Sequence, residues 1–343
     1  MKIARIVSVA VILLLLLGGG LHVLTGKKEP IEPVAIGKEA AAGIVVYTTL
    51  SSALIAPLAL EYERNYAIPL QIRQMTENEL KEALAAQKLE KGALLIADAG
   101  FLETQKGFFT PLVSEQGDML LDQFRESDGL WTGLWFDPVV FAVNRESLLP
   151  KPEQWDELER KDATFRLGIA DFLLSDNMAL PFYYTVAQQG EERALEYWLR
   201  IHPRVTQYAK FPSTPVRMVG LGEADLAVVM QSEALRYLQD GFPINIIYPQ
   251  PSTPYMLLGV GILQDPDELH RKKAASFIEW LMLDTPQYLL EQNRTFWISV
   301  HPDTLQYRRY ASRIDLAEIK MPELETKKRL LDNWVRKVRL GNK

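Results

Sequence analysis

The chain has 343 residues, which predicts about two domains, and its composition (48% hydrophobic, 24% charged) is that of a globular protein. The absence of cysteine excludes thiol catalysis, cysteine–zinc sites, disulfides and the lipidated cysteine of bacterial lipoproteins. The net charge of −6, together with the lack of any basic run, argues against nucleic acid as a partner, because phosphate binding needs a basic face.

Residues 1–26 predict an export signal. Lys2 and Arg5 precede an apolar run and three glycines, the order of a secretory signal peptide. Residues 6–24 also approach the length of a bilayer span, so an uncleaved membrane anchor is the alternative. In both cases we expect this segment to enter the membrane at least transiently, and the rest of the chain to be extracytoplasmic, in the periplasm or at the outer face of the cytoplasmic membrane. Residues 27–42 then form a tether.

Beyond the tether, short apolar runs alternate with amphipathic helical stripes. Strands are predicted at residues 44–47, 70–75 and 93–97, with a helix between each pair. The helix after the second strand opens with a capping box of Thr76 and Glu79. This alternation predicts a parallel sheet covered by helices on both faces.

The alternation resumes after two strand-like runs at residues 131–136 and 139–143, which an Asp-Pro pair separates. Further strands are predicted at residues 165–169, 205–208, 226–230, 244–248 and 257–263, with helices among them. The chain closes with a charged helix at about residues 323–339, which we expect to pack on the fold through Trp334.

Together these elements predict an α/β protein of two lobes, each a mostly parallel sheet flanked by helices, with a cleft between the lobes. We expect residues 43–137 and 252–300 to form lobe I, and residues 138–251 and 301–343 to form lobe II. Lobes of this kind place ligands at the carboxyl ends of their strands.

Three clusters of hydroxyl and amide residues follow predicted strands and precede predicted helices, at residues 48–52, 175–177 and 213–214. The unpaired N–H groups of a helix N-terminus hold anionic or polar ligand groups. Thr214 before Pro215 is the clearest case, predicted as an N-cap with proline at the first helical position. Helix capping alone also explains each cluster, but their recurrence in both predicted lobes favours a ligand site.

Acidic and aromatic residues extend this candidate site. Asp98 and Asp137 directly follow apolar runs, and Asp176 lies in the loop after another. Several carboxylates in one cleft suit a cation or polyamine, although aspartate also caps turns. Trp135 and Tyr255 are candidates for stacking walls, with core packing as the alternative. We therefore expect the ligand to contact Thr49, Ser51, Asp98, Trp135, Ser175, Asn177, Thr214, Gln231 and Tyr255.

The sequence does not favour an enzyme. The four histidines lack metal spacing, and no GxSxG nucleophile elbow occurs. The glycines at 220 and 222 suggest a dinucleotide loop, but they follow a predicted helix and precede a strand, which is the wrong order. We expect no catalytic residues, no metal and no cofactor.

Several stretches are similar in order and spacing to one known family. They are Val45-Val-Tyr-Thr-Thr49, Ile96-Ala-Asp98, Trp131-Thr-Gly133, Trp155-Asp-Glu-Leu158, Gly222-Glu-Ala-Asp-Leu226 and Ala274-Ala-Ser-Phe-Ile278. The exported part resembles the extracellular solute-binding proteins of bacterial ABC importers, in the iron(III)/phosphonate/polyamine-like group with the type II periplasmic binding protein fold. The resemblance implies a two-lobed receptor that closes on a small solute and delivers it to a membrane permease; we expect a monomer.

The ligand stays open at this point. Iron-binding members carry a tyrosine pair after the Gly-Glu-Ala strand, whereas residues 230–233 here are Met-Gln-Ser-Glu, and the pair Tyr183-Tyr184 lies elsewhere. A small anion such as a phosphonate, sulfate or carboxylate suits the hydroxyl-rich helix starts and is preferred, while a polyamine or other cation suits the acidic residues. A membrane-anchored ligand sensor of the same fold and an exported hydrolase are the alternative functions.

Overall fold

The computed structural model describes residues 43–265 and 267–341. Its strands are β1 Ile44–Thr48, β2 Leu70–Gln74, β3 Leu94–Asp98, β4 Phe109–Thr110, β5 Trp131–Asn144, β6 Leu167–Ala170, β7 Val205–Ala209, β8 Leu226–Met230, β9 Ile244–Ile247, β10 Tyr255–Leu263 and β11 Ile298–Ser299. Its α-helices are α1 Ser52–Tyr66, α2 Glu77–Ala85, α3 Ala99–Gln105, α4 Glu115–Asp118, α5 Asp176–Gln189, α6 Glu191–Ile201, α7 Thr214–Gly220, α8 Gln231–Gln239, α9 Glu268–Leu281, α10 Asp284–Gln292, α11 Leu305–Tyr310 and α12 Leu324–Trp334. A π-helical turn, Val335–Arg339, extends α12.

The first sheet is built on three parallel strands, as the sequence predicts, and their spatial order is β2-β1-β3. β10 runs antiparallel to β3, and the first half of β5 runs antiparallel to β10, so the sheet as a whole is mixed. Tyr62 of α1 meets Phe277 and Trp280 of α9 edge-on, which ties the helices of this half together. We call this sheet and its helices the first lobe.

The second sheet places β6 between β7 and β8, with all three strands parallel. The second half of β5 pairs antiparallel with β8 and with β9, so this sheet is mixed too. The C-terminal helix packs here, because Trp334 of α12 is fully buried against Phe172 and Tyr208. The predicted packing of the closing helix is therefore confirmed. We call this sheet and its helices the second lobe.

One strand, β5, belongs to both sheets. Its residues up to Pro138 pair with β10, and from Val139 onward they pair with β8. The sequence predicts two strands with a break at Asp137 and Pro138; this is wrong, because the chain continues as one fully buried strand of 14 residues. Proline lacks an N–H for a ladder, and Pro138 stands where the partner strand changes, so it marks the passage between sheets.

Two further segments join β5 at this crossover. Before β10, Thr253 donates its hydroxyl to the carbonyl of Val139 at 2.5 Å, and Val139 N–H donates to the carbonyl of Pro254 at 2.8 Å. After α11, Asp315 accepts a hydrogen bond from Thr253 N–H at 2.7 Å, and Ala317 N–H donates back to Thr253. Three chain segments thus meet at the junction of the lobes. The sequence boundaries given above for lobes I and II stay a prediction.

The predicted signal peptide or anchor (1–26) and the tether (27–42) lie outside the described residues, so their export role stays a prediction. Across residues 43–265 and 267–341, none of the helices combines the length and apolar character that crossing a membrane requires.

Candidate functional site

The carboxyl ends of the parallel strands carry most of the residues predicted for the site. In the first lobe, Thr49 N–H donates to the carbonyl of Ile96 at 3.3 Å, so the ends of β1 and β3 are neighbours and Thr49 lies near Asp98. In the second lobe, β7, β6 and β8 are neighbours, and the segments that follow them hold Thr214, Ser175, Asn177 and Gln231. Each lobe therefore gathers its own group of predicted residues at one sheet edge.

Asp98 ends β3 and caps α3, because its Oδ1 accepts a hydrogen bond from Gly100 N–H at 2.8 Å. Burial raises the pKa of Asp98 to about 6, although the bond from Gly100 opposes this rise. The carboxylates of Glu77 and Asp176 raise this pKa further, and the ammonium of Lys327 lowers it. Asp98 and Glu77 belong to the first lobe, whereas Asp176 and Lys327 belong to the second, so charges of the two lobes act on one another here.

Asp176 is the first residue of α5 in the second lobe. Its Oδ2 forms an ion pair with Lys327 Nζ of α12, and the Tyr183 hydroxyl lies 3.5 Å from its Oδ1. The Asp176 side chain is about half exposed (51%), while that of Lys327 is 20% exposed. Lys327 therefore lies mostly covered where α12 meets the start of α5.

Glu77 is the first residue of α2 and directly follows Thr76, the N-cap of the capping box that the sequence predicts and the structure contains. Partial burial raises the pKa of Glu77, the repulsion of Asp176 raises it further, and Lys327 lowers it. The sequence prediction misses Glu77, although its place after β2 at the same sheet edge was a usable signal. It also misses Lys327, for which the sequence carries no signal, since the placement of α12 depends on tertiary packing.

Asn177 reaches the crossover between the lobes. Its Nδ2 donates to Met256 Sδ at 3.1 Å, and Met256 pairs with Asp137 across β10 and β5. Asn177 thereby joins the start of α5 in the second lobe to β10 at the crossover. Ser175, two residues earlier, caps α5 by accepting from Met178 N–H at 3.3 Å, so its hydroxyl is already engaged.

Gln231 begins α8 and is fully buried. Its Oε1 accepts a hydrogen bond from the Tyr248 hydroxyl at 2.7 Å, while its Nε2 has no hydrogen-bond partner within residues 43–265 and 267–341. Next to it, Asp137 Oδ1 accepts from Ser232 N–H at 3.0 Å, and burial raises the pKa of Asp137 to about 7. The second lobe thus has a buried polar group directly behind the strand ends.

The two aromatic candidates lie in packed surroundings. Trp135 has no exposed surface and lies 6.2 Å from Trp297, measured between ring centroids. Tyr255 meets Phe124 and Phe136 edge-on, each at 6.0 Å. These contacts are those of core packing, the alternative given above, and a ligand-stacking role for either residue stays a prediction.

The capping geometry corrects one expectation and refines another. Thr214 is the first residue of α7 rather than its N-cap; Ser213 occupies the cap position and makes no side-chain capping bond. The reason is that Pro215 fits any position of the first turn, so the helix begins one residue earlier than expected. Ser51 is the N-cap of α1, is exposed, and makes no side-chain capping bond.

Metal binding finds little support in this geometry. Over the part of the chain that the structure describes, no three His, Asp or Glu side chains group closely enough to hold a metal ion. Glu77, Asp98 and Asp176 are therefore electrostatic neighbours rather than a chelating set. Tyr183 and Tyr184 are both buried in the second lobe.

The comparisons with known proteins agree with this geometry. Residues 90–312 match the family model described as bacterial extracellular solute-binding protein. A protein of Haemophilus influenzae, described as uncharacterized, is 25% identical over 259 residues, which cover 68% of this chain and 72% of that protein.

Solved structures of similar fold include proteins with different ligands. The Bordetella ferric binding protein superposes with a TM-score of 0.70 at 19% identity, covering 88% of this chain and 100% of that one. A second structure is that of AfuA from Actinobacillus pleuropneumoniae, a periplasmic binding protein with exogenous fructose-6-phosphate bound. It superposes with a TM-score of 0.65 at 19% identity, covering 87% of this chain and 99% of that one. At such identities the likeness concerns the fold alone, and the predicted two-lobed α/β architecture is confirmed.

Proposed function

The chain belongs to the bacterial extracellular solute-binding proteins, and from this membership we propose that it is a receptor that delivers a small polar solute to an ABC importer. The family is extracellular, in agreement with the extracytoplasmic location predicted from the sequence, and it is a family of binding proteins rather than enzymes. In such a receptor the lobes move about their junction, and the bound solute favours the closed population.

The proposal of a site between the lobes rests on the electrostatic interaction of carboxylates that belong to opposite lobes. Asp176 of the second lobe raises the pKa of both Asp98 and Glu77 of the first lobe. Such an effect requires that the carboxylates lie close together, since solvent screens charges beyond about 10 Å. A solute held at this place touches both lobes and stabilises their closed arrangement.

The same carboxylates favour a cationic solute over the anion preferred from the sequence. Negative charge accumulates where Glu77, Asp98 and Asp176 meet, and each additional anion there is repelled. An ammonium group at this place relieves the repulsion between the carboxylates. We therefore propose a small amine or other organic cation as the solute class.

Ligand identification with the full-length protein tests this proposal. Native mass spectrometry identifies any solute that co-purifies, and a thermal-shift screen compares 1,4-diaminobutane, longer polyamines, phosphonates, sulfate and ferric citrate. A true ligand at 100 times its dissociation constant stabilises the folded state by about 2.7 kcal/mol. Stabilisation by amines alone supports the proposed class, whereas stabilisation by phosphonate or sulfate alone overturns it in favour of the anion.

A further inference from the structure

The C-terminal segment, residues 315–341, runs from the junction of the lobes across both of them. It leaves the crossover at Asp315 and Ala317, which pair with Thr253. Met321 then lies beside Gly100 of the first lobe: a β-carbon on that glycine would come 4.0 Å from Met321 Cγ. The segment next forms α12, so it passes from the edge of the first lobe, next to Asp98, to the second.

The far end of the segment is firmly attached to the second lobe. Trp334 is buried against Phe172, and Arg339 stacks over Tyr208 at 4.2 Å while pairing with Asp171 at 3.0 Å. Such packing fixes the position of α12, and with it the side chains on its first turns. Lys327 is therefore carried by the second lobe as a fixed part of it.

Lys327 has a defined place in the electrostatics of the cleft. Its ammonium forms an ion pair with Asp176, and its side chain is 20% exposed. It also lowers the pKa of Asp98 and of Glu77 on the opposite lobe. The neighbouring Lys328 differs, because its side chain is exposed to solvent.

On the basis of the proposed function, we propose that Lys327 is a specificity-determining residue, the resident counterion of the cleft. Its ammonium pairs with Asp176 and offsets part of the negative charge that acts between the lobes. A cationic solute must share Asp176 with Lys327 or displace it, so Lys327 limits how tightly a cation binds. The C-terminal segment thus takes part in solute selection although it lies far from the other site residues in sequence.

The test compares Lys327→Met with its matched control Lys328→Met in the full-length protein. Calorimetric titration with 1,4-diaminobutane should show about three- to tenfold tighter binding to Lys327→Met than to wild type, because one competing charge of a partly screened pair is removed. Lys328→Met should bind as wild type does. Equal binding by all three proteins overturns the inference, and so does weaker binding by Lys327→Met, which would mean that Lys327 contacts the solute directly.

A second measurement needs no ligand and separates failure of this inference from failure of the proposed function. A double-mutant cycle compares the thermal unfolding of wild type, Lys327→Met, Asp176→Asn and the double variant. If Lys327 is the counterion of Asp176, the shifts in melting temperature are non-additive. If the diamine binds none of the proteins while the shifts are non-additive, the cationic solute class is refuted and the counterion role of Lys327 stands. Additive shifts refute that role whether or not the diamine binds.

Discussion

Asp98 shows how a capping residue is also affected by charges of the other lobe. It caps α3 through Gly100, and Asp176 of the other lobe raises its pKa, while its contact with a ligand stays a prediction. The sequence identifies Asp98 because an acidic residue directly after an apolar strand is a local pattern. It cannot identify Lys327, whose effect on Asp98 exists only after α12 has packed on the second lobe.

We expect Asp98 to make the stability of the ligand-free protein depend on pH. Its pKa is about 6 in the folded state, above the usual value, so the folded state binds the proton more tightly than the unfolded state. Its contribution is therefore fully present below about pH 4 and is lost as the pH rises through about 6. Asp98→Asn carries no titrating group at this position and does not undergo this loss. Its free energy of unfolding relative to that of wild type should therefore increase by on the order of 1–2 kcal/mol between pH 4.5 and pH 7.5.

Denaturant unfolding of both proteins at several pH values measures this gain. The exposed Asp122→Asn serves as the control and should show a constant difference from wild type. A constant difference for Asp98→Asn as well would contradict the raised pKa.

At the scale of elements, the sequence predicts most strands and helices correctly because their signals are local. The parallel strands β1, β2 and β3 and the capping box of α2 follow from apolar runs and from the spacing of Thr76 and Glu79. The error at β5 has a physical reason, since an Asp-Pro pair is typical of a break in a strand. Here β10 pairs with β5 before Pro138 and β8 pairs with it afterwards, so β5 continues as one strand. No local sequence pattern reveals these pairing partners.

The attachment of α12 gives a prediction at this scale. Trp334→Ala should destabilise the protein by about 3–5 kcal/mol, because it removes a fully buried aromatic side chain and leaves a cavity beside Phe172 and Tyr208. Leu324→Ala at the exposed start of the same helix should cost less than about 0.5 kcal/mol. Chemical denaturation measures both, and comparable losses for the two variants would show that α12 is not anchored through Trp334.

At the scale of the whole molecule, the site depends on how the two lobes approach one another. The sequence predicts the two-lobed architecture, because strands and helices alternate in two runs joined by the β5 region. It predicts a cleft with several carboxylates, Asp98 and Asp176 among them, but it misses Glu77. Their meeting follows from the junction formed by β5, Thr253 and residues 315–317.

Lobe closure is directly measurable, because the chain has no native cysteine. Labels on Leu60→Cys in α1 and Leu199→Cys in α6, both exposed positions on different lobes, should move closer when 1,4-diaminobutane saturates the protein. Labels on Leu199→Cys and Leu238→Cys, both in the second lobe, should keep their separation. Distances from paired spin labels provide the measurement, and an unchanged Leu60–Leu199 distance with bound diamine would rule out closure.

The position of β10 has a consequence for how this polypeptide matures. The strand lies between β3 and β5 in the sheet although it follows both of them in the chain, so the earlier half has a gap until residues 255–263 have been made. Long-range pairings of this kind slow folding. An early fragment therefore lacks a complete sheet, and we expect the first lobe to finish folding only after β10 has been synthesised.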